Sequence, residues 1–558
     1  MKPRKENIMI EILENFDVST PKVSSTQEVE EVEEVENVST PKEVSTSDKT
    51  KNVVLLPHQG DHVVKLLEIF EKSNVAFDLS MLGLGKTYTT TKLAEISNFK
   101  NVIVIAPVSV KSKWVFMRDT FGLPLKECVS FCELRSTKCK QPKHGLLTRR
   151  DYTSTMLSYG QVVTVDNVEF TGTPLLQSML DEGALVVIDE IQNVKNLSTQ
   201  FHACRAIITK AMVSAKSRVL MISGSPIDKK EQAVHLFRCL GVMKSQKMIE
   251  FNLRDFAYED AGFFEIVQFC KRYSILNDAD DMIFQSRRGV TECVRLTYRL
   301  FQRVVKRRLS SSMTPPTSET TLSKKNGFFE IRDPESRTLL EQAVDRLSNV
   351  TRYDPENRTV DFGRNGARII AAITYAMMQL ETAKISTFER LASERLSKDE
   401  NNKVVLCVNY TATIDDLVEK LKMFEPLVLR GSMDFKRREK TLAKFQAPNN
   451  EHRLLIANLA VISTGIDLDD KDGGYPRTVF VSPQYGCIQL YQLCHRFQRI
   501  DTKSSCDIFM VYGKHASETR ILDALSRKSE IMKETTEKQV KSGVVFPGDF
   551  ENYEEAEV

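Results

Sequence analysis

Two short stretches of this chain carry residue types that could do phosphate chemistry. The first is Gly83-Leu84-Gly85-Lys86-Thr87, followed by a helix-like run from Tyr88 to Ala94. Glycines at a helix start leave backbone N–H groups free to cradle phosphates. In such a loop Lys86 reaches the β- and γ-phosphates, and the Thr87 hydroxyl binds Mg²⁺. The strict pattern wants glycine five residues before Gly85, where this chain has Ser80. A residue that small still lets the backbone close. The second stretch is Leu185-Val-Val-Ile-Asp189-Glu190, an apolar strand ending in two carboxylates. Parallel sheets present ligand-binding residues at strand ends of this kind. Asp189 is placed to hold the Mg²⁺ and Glu190 to polarise an attacking water. The bland alternatives are a chance Gly-Lys-Thr and an Asp-Glu that only caps the next element. About a hundred residues separate the two stretches, and each makes the other more coherent.

These residues need a scaffold, and the rest of the chain supplies one. Short apolar runs at Val102–Ile105, Ala184–Ile188, Val219–Ile222, Val404–Val408, Leu454–Ala457, Thr478–Val481 and Ile508–Val511 read as buried strands. Amphipathic helical patterns such as His62–Phe70 and Ile414–Met423 lie between them. Strand–helix alternation implies parallel sheets covered by helices. The alternation falls into two groups, which divides the chain into a low-complexity tail (1–50), a first lobe (51–245), a connector with an insertion (246–364), a second lobe (365–535) and an acidic tail (536–558). The first of these tails repeats Val-Ser-Thr-Pro-Lys at Val18–Lys22 and Val38–Lys42. Too few aromatics accompany it to build a core.

The chain has 558 residues, which suits two to four domains. It is 41% hydrophobic and 27% charged, the balance of a globular protein. Its net charge of +3 does not announce a nucleic-acid binder, but the acidic residues concentrate at Glu28–Glu36. The remainder is therefore more basic than the total. No apolar run is long enough to span a membrane. The N-terminal apolar stretch is short and broken by Glu, unlike a secretory signal. The 11 cysteines follow no framework and read as reduced thiols in an intracellular protein. Cys128, Cys132, Cys139 and His144 lie close together, but their spacing matches no common zinc pattern and they read as small fillers. Trp114 reads as core. Nothing resembles a nuclease triad or a protease dyad.

The phosphate loop and acidic pair, in this order, resemble superfamily 2 helicases and translocases, closest to the SNF2-like branch. Further blocks carry the resemblance from about residue 55 to 530. Leu56-Pro-His-Gln59 resembles the adenine-reading Gln motif. Val104-Ile-Ala-Pro107-Val-Ser109 with Trp114 resembles motif Ia. Asp189-Glu190-Ile-Gln192 is followed by Lys195-Asn196, and Ser223-Gly-Ser225-Pro226 resembles motif III. Lys306-Arg307-Arg308 before Pro315-Pro316 resembles the arginine pair leading out of the first lobe. In the second lobe, Arg430-Gly431-Ser432, Ser463-Thr464-Gly465-Ile-Asp467 and Gln492-Leu-Cys-His-Arg496-Phe-Gln-Arg499 resemble the Gly-Ser block, motif V and motif VI. Glu518-Thr-Arg520-Ile-Leu522 matches a C-terminal piece of the family. The departures are Ile191-Gln192 for Ala-His, Ser225 for Thr, Asp501 for Gly, and a motif V without its glycine pair. They put the subfamily in doubt more than the activity.

The resemblance implies an α/β fold of two RecA-like parallel-sheet lobes joined by a helical connector. It implies ATP and Mg²⁺ in the cleft. Gln59, Gly83, Gly85, Lys86, Thr87 and Gln192 would contact the nucleotide, Thr87 and Asp189 the metal, and Glu190, Arg496 and Arg499 the reaction itself. Pro107, Ser109, Ser223, Ser225, Gly431, Ser432, Thr464, Gly465 and Asp467 would contact nucleic acid or couple it to the cleft. Arg303, Lys306, Arg307 and Arg308 read equally as a basic patch or a solvated helix face. The expected activity is ATP-driven movement along duplex DNA, in transcription, repair or chromatin. A strand-separating RNA or DNA helicase and an inactive scaffold are the alternatives. The compact build is analogous to SNF2-like ATPases of large DNA viruses, whose site of action is the nucleus, a cytoplasmic factory or the virion.

Overall fold

The computed structural model describes residues 51–135, 144–158, 161–244, 249–252, 257–273, 289–315, 320–350, 362–499, 501–514, 516–536 and 544–554. The expected tail 1–50 lies outside them, as does Cys139.

The chain builds two sheets in which every neighbouring pair of strands is parallel. The first has the order β10-β1-β7-β6-β2-β3. Its strands are β1 (Val75–Asp78), β2 (Asn101–Ala106), β3 (Leu125–Ser130), β6 (Ala184–Asp189), β7 (Arg218–Ile222) and the two-residue β10 (Ser310–Ser311). β1, β2 and β6 are buried along their whole length, because helices cover both faces. That burial explains their unbroken apolar runs. The second sheet has the order β13-β14-β12-β15-β16-β11-β17. It comprises β11 (Leu322–Phe329), β12 (Lys403–Val408), β13 (Leu427–Leu429), β14 (Leu454–Asn458), β15 (Arg477–Val481), β16 (Cys506–Gly513) and β17 (Glu551–Glu554). All seven apolar runs marked in the sequence are strands of these sheets.

Three helices of the first lobe matter for the site: α1 (Pro57–Lys72), α2 (Lys86–Ile96) and α3 (Lys111–Phe121). Two more come from the second lobe: α4 (Cys487–Cys494) and α5 (Ala516–Thr535). Between β3 and β6 a long antiparallel hairpin leaves the first lobe, β4 (Leu147–Ser158) paired with β5 (Gln161–Gly172).

The stretch read as a connector, 246–364, does more than connect. Ser310–Ser311 extends the first sheet beside β1, and Leu322–Phe329 sits inside the second sheet between β16 and β17. Residues of the acidic tail supply β17, which pairs with β11. These strands escape periodicity arguments. One is two residues long, and β11 reads Leu-Ser-Lys-Lys-Asn-Gly-Phe-Phe, polar for most of its length.

The lobes are packed against each other. Leu82, next to the phosphate loop, is buried within the apolar cluster of the second lobe. From the other side, Ile531 on α5 packs on the core of the first lobe. Both sheets turn their carboxyl ends towards the cleft, where parallel sheets place ligand sites.

Candidate functional site

β1 delivers the chain into the glycine-rich loop, and α2 begins at Lys86. Gly83 and Gly85 have φ of +84° and +83°, a region that side chains rarely adopt. At Gly85 a Cβ would also fall 2.4 Å from the Gln59 amide nitrogen. Both positions therefore demand glycine. Lys86 Nζ donates to the Ser80 carbonyl at 3.0 Å. Ser80, where the pattern wants glycine, is fully buried and its hydroxyl accepts the Met313 N–H at 2.9 Å. It thus ties the loop to the chain leaving β10. Gln59 accepts the Leu56 N–H at 2.9 Å and donates to the Leu84 carbonyl at 2.9 Å. Its side chain rests on the loop itself.

β6 ends in Asp189 and Glu190. Trp114 on α3 donates its indole N–H to Asp189 Oδ2 at 2.9 Å. Burial, then the neighbouring Glu190, pushes the Asp189 carboxyl up to about 6. Glu190 has φ +64°, a strained conformation for a non-glycine residue. Its Oε2 accepts from Gln192 at 2.6 Å and, across the cleft, from Gln492 on α4 at 3.0 Å. Gln192 Oε1 accepts from Ser223 at 2.7 Å, and Ser223 Oγ accepts the Ser225 N–H at 3.0 Å. The motif III serines are therefore buried links in a chain of hydrogen bonds that reaches the second lobe. Gln192, expected on the nucleotide, is placed in this chain.

The second lobe contributes two arginines. Arg496 is buried and donates from Nε to the Ser463 carbonyl at 3.0 Å. Burial, then the nearby Arg499, pulls its guanidinium down to about 10. Arg499 donates to Asp467 Oδ1 at 2.5 Å. A Cβ on Gly83 would come within 2.6 Å of Arg499 Nη1, so this guanidinium lies against the phosphate loop. Lys113 of α3 approaches Asp467 Oδ2 at 3.9 Å. Burial would raise the Asp467 carboxyl, but Arg499 and then Lys113 hold it below the usual range. Asp467, expected to contact nucleic acid or couple it to the cleft, is paired with this arginine.

On the other side of the acid pair lies a groove between the lobes of about 580 Å³. Pro107, Lys195, Lys229, Thr464, Gly465 and Gln489 are among its lining residues. Ser109 meets Gly465 at its edge, where a Cβ would fall 2.4 Å from the Ser109 hydroxyl. Four expected contact residues therefore converge at one groove. Gly431 and Ser432 do not join them; they are exposed just before the helix Phe435–Gln446. In the basic run, Lys306 donates to the Glu534 carbonyl on α5. Of the cysteine cluster, the Cys128 thiol is pushed up to about 11, chiefly by burial.

Sequence reasoning passed over three features. Trp114 reads as core and as part of the motif Ia resemblance, with no partner foreseen for its indole N–H. Gln492 was seen as part of motif VI without a role. The third is a buried set in which His62 Nε2 lies 3.1 Å from Asp78 Oδ2 and Nδ1 lies 2.9 Å from Ser311 Oγ. No sequence signal links residues so far apart. The set is sealed from solvent, and it ties α1, β1 and β10 together beneath the loop.

The model of the helicase conserved C-terminal domain matches residues 383–501. A protein of Acanthamoeba polyphaga mimivirus, named as an ATP-dependent RNA helicase, is 21% identical over 82% of this chain and 79% of its own length. The DNA repair and recombination protein RAD54 of Saccharomyces cerevisiae is 26% identical over 27% of this chain, which is 16% of RAD54. The chain is a nucleic-acid-dependent ATPase of the helicase kind, with a helicase C-terminal domain. The crystal structure of the Pyrococcus furiosus Hef helicase domain aligns with 83% of this chain and 96% of that one, at 14% identity and a TM-score of 0.37. The two-lobed architecture of this ATPase rests on its own strand order. Its class works on nucleic acid. Among the described residues no helix is long and apolar enough to cross a membrane.

Proposed function

We propose that this ATPase couples ATP hydrolysis to movement along duplex DNA. One observation carries the reading: Arg499 of the second lobe lies on Gly83 of the phosphate loop, while Gln492 of the same lobe holds Glu190. A site assembled from both lobes makes turnover depend on how the lobes sit, and lobe motion is what displaces a polymer.

The residues fit ATP and Mg²⁺. Two positive-φ glycines leave a backbone cradle that a Cβ would fill, with Lys86 beside it. Two adjacent buried carboxylates form a donor set that a divalent cation relieves. Gly83, Gly85, Lys86 and Thr87 would hold the phosphates, with Gln59 at the loop's rear, and Thr87 and Asp189 the metal. Bound there, the metal supplies charge neutralisation of the phosphates. Glu190 would orient water, fixed by Gln192 and Gln492. Arg496 and Arg499 would meet developing negative charge, a contribution worth about 10³ or more in rate. Pro107, Ser109, Thr464 and Gly465 would contact the polymer's phosphates, and Gly431 and Ser432 would extend that track on the outer surface.

In this reading the lobes fall near 51–245 and 365–535, with the intervening stretch completing both sheets. A DNA substrate is supported by the similarity to the DNA repair and recombination protein RAD54, and a viral setting by the mimivirus relative. That relative, named as an RNA helicase, supports a second reading, an RNA helicase, because the similarity covers most of both chains.

Steady-state hydrolysis by the purified protein with duplex DNA, single-stranded DNA or RNA, beside Glu190→Gln, separates the readings. Stimulation by duplex DNA that is lost in Glu190→Gln is the expected result. Stimulation by RNA alone would replace it with the second reading, and no hydrolysis with any polymer would overturn both.

A further inference from the structure

We propose that Trp114 is a positioning residue for Asp189, and that the helix it stands on links that carboxylate to the rim of the interlobe groove. The inference rests on the reading of the chain as a Mg²⁺-dependent, nucleic-acid-stimulated ATPase.

An indole has one donor and no acceptor. Trp114 is fully buried, so its N–H must find a partner inside the protein. A backbone carbonyl would satisfy it. The partner here is Oδ2 of Asp189, at 2.9 Å. Fixing one carboxylate oxygen fixes the plane of the group, and so the direction in which the other oxygen points. A residue present only for packing has no need of that acceptor.

The rest of α3 gives the contact a wider consequence. The helix follows directly on the turn Val108–Val110, whose Ser109 touches Gly465 of the second lobe. Lys113, one residue before the tryptophan, faces Asp467, which holds Arg499. At the far end Phe121 packs edge-on against Tyr88 of α2, with ring centroids 5.7 Å apart. One eleven-residue helix thus touches the groove rim, the arginine's partner, the metal-holding carboxylate and the helix of the phosphate loop. Displacement of α3 by a polymer at the rim carries the indole with it, and Asp189 follows.

The test uses the full chain, in which Trp114 is the single tryptophan. Trp114→Phe removes the N–H. Biosynthetic replacement by benzothienylalanine, with sulfur in place of the N–H, removes it without changing the shape, and it decides the matter if the Phe variant fails to fold. The expected result is a fall in kcat of about tenfold with KM for ATP changed less than about twofold. The Mg²⁺ concentration for half-maximal rate rises, and stimulation by duplex DNA shrinks. A folded replacement with native kcat and native Mg²⁺ requirement would overturn the positioning role, and undiminished stimulation would overturn the link to the rim. Trp114 fluorescence gives a readout independent of turnover. Titration with Mg²⁺ and ADP should shift the emission of the native chain and not that of Asp189→Asn; no shift in the native chain refutes the contact. A native chain that hydrolyses no ATP counts against the parent reading, while the fluorescence still judges Trp114.

Discussion

Gln492→Leu probes the contact across the cleft on which the proposed coupling of the lobes rests. Gln492 is 5% exposed and Glu190 9%, so neither side chain has water to fall back on. The bond between them is 3.0 Å long and ends on a carboxylate. Hydrogen bonds to charged groups contribute about 1.5–3 kcal/mol. At about 1.4 kcal/mol per factor of ten, the loss corresponds to roughly a 10- to 150-fold fall in rate if the bond acts in the transition state. The lower end is expected, because Gln192 still holds the same oxygen at 2.6 Å. Leucine is apolar and of similar size, so α4 should keep its packing. The assay is steady-state ATP hydrolysis with saturating duplex DNA, beside nucleotide binding measured by calorimetry. ATP affinity should stay near native, since Gln492 meets the acid pair and not the phosphate loop. Gln192→Leu combined with Gln492→Leu should cost more than the sum of the two, because Glu190 then loses both donors. A folded Gln492→Leu protein with kcat within about twofold of native would refute the reasoning.

Other perturbations test separate parts of the site. Lys86→Ala should abolish turnover while the melting temperature stays near native; unchanged hydrolysis would remove the phosphate-loop assignment. Arg499→Ala should lower kcat by about 10³ with little loss of ATP binding, and equal losses in both would make Arg499 a structural residue. Burial would raise the Asp228 carboxyl, but Lys195 at 3.1 Å and then Lys528 outweigh it and hold the group at about 2. Its ordinary value is 3.8, so its contribution is complete above about pH 4 and is lost as pH falls towards 2. That shift is worth about 2 kcal/mol. Melting curves of native and Asp228→Asn proteins should therefore differ at pH 7 and converge below pH 4; a constant difference across that range would show that the ion pair is not its source.

The sequence by itself determined the residue types of the candidate site and the order of its parts. Gly83 to Thr87 and Asp189-Glu190 were legible because phosphate and metal binding demand particular residue types at short spacing, and short spacing survives in one dimension. The seven buried strands were legible because a strand covered on both faces must be apolar throughout. β11 and β17 were not, because one is mostly polar and the other is Glu-Asn-Tyr-Glu. Their place comes from backbone pairing with β16 and with each other, which leaves no periodic mark. The tertiary structure decided which residues meet. Gln492 reaches Glu190 across 302 positions of sequence, Trp114 reaches Asp189 across 75, and His62 reaches Ser311 across 249. The first pair depends on how the two lobes meet, and the other two on how the helices of the first lobe pack on its sheet; no local pattern encodes either. Packing within each lobe set Asp467 beside Arg499 and Gln192 beside Ser223, while Gly431 and Ser432 stand exposed before the helix Phe435–Gln446.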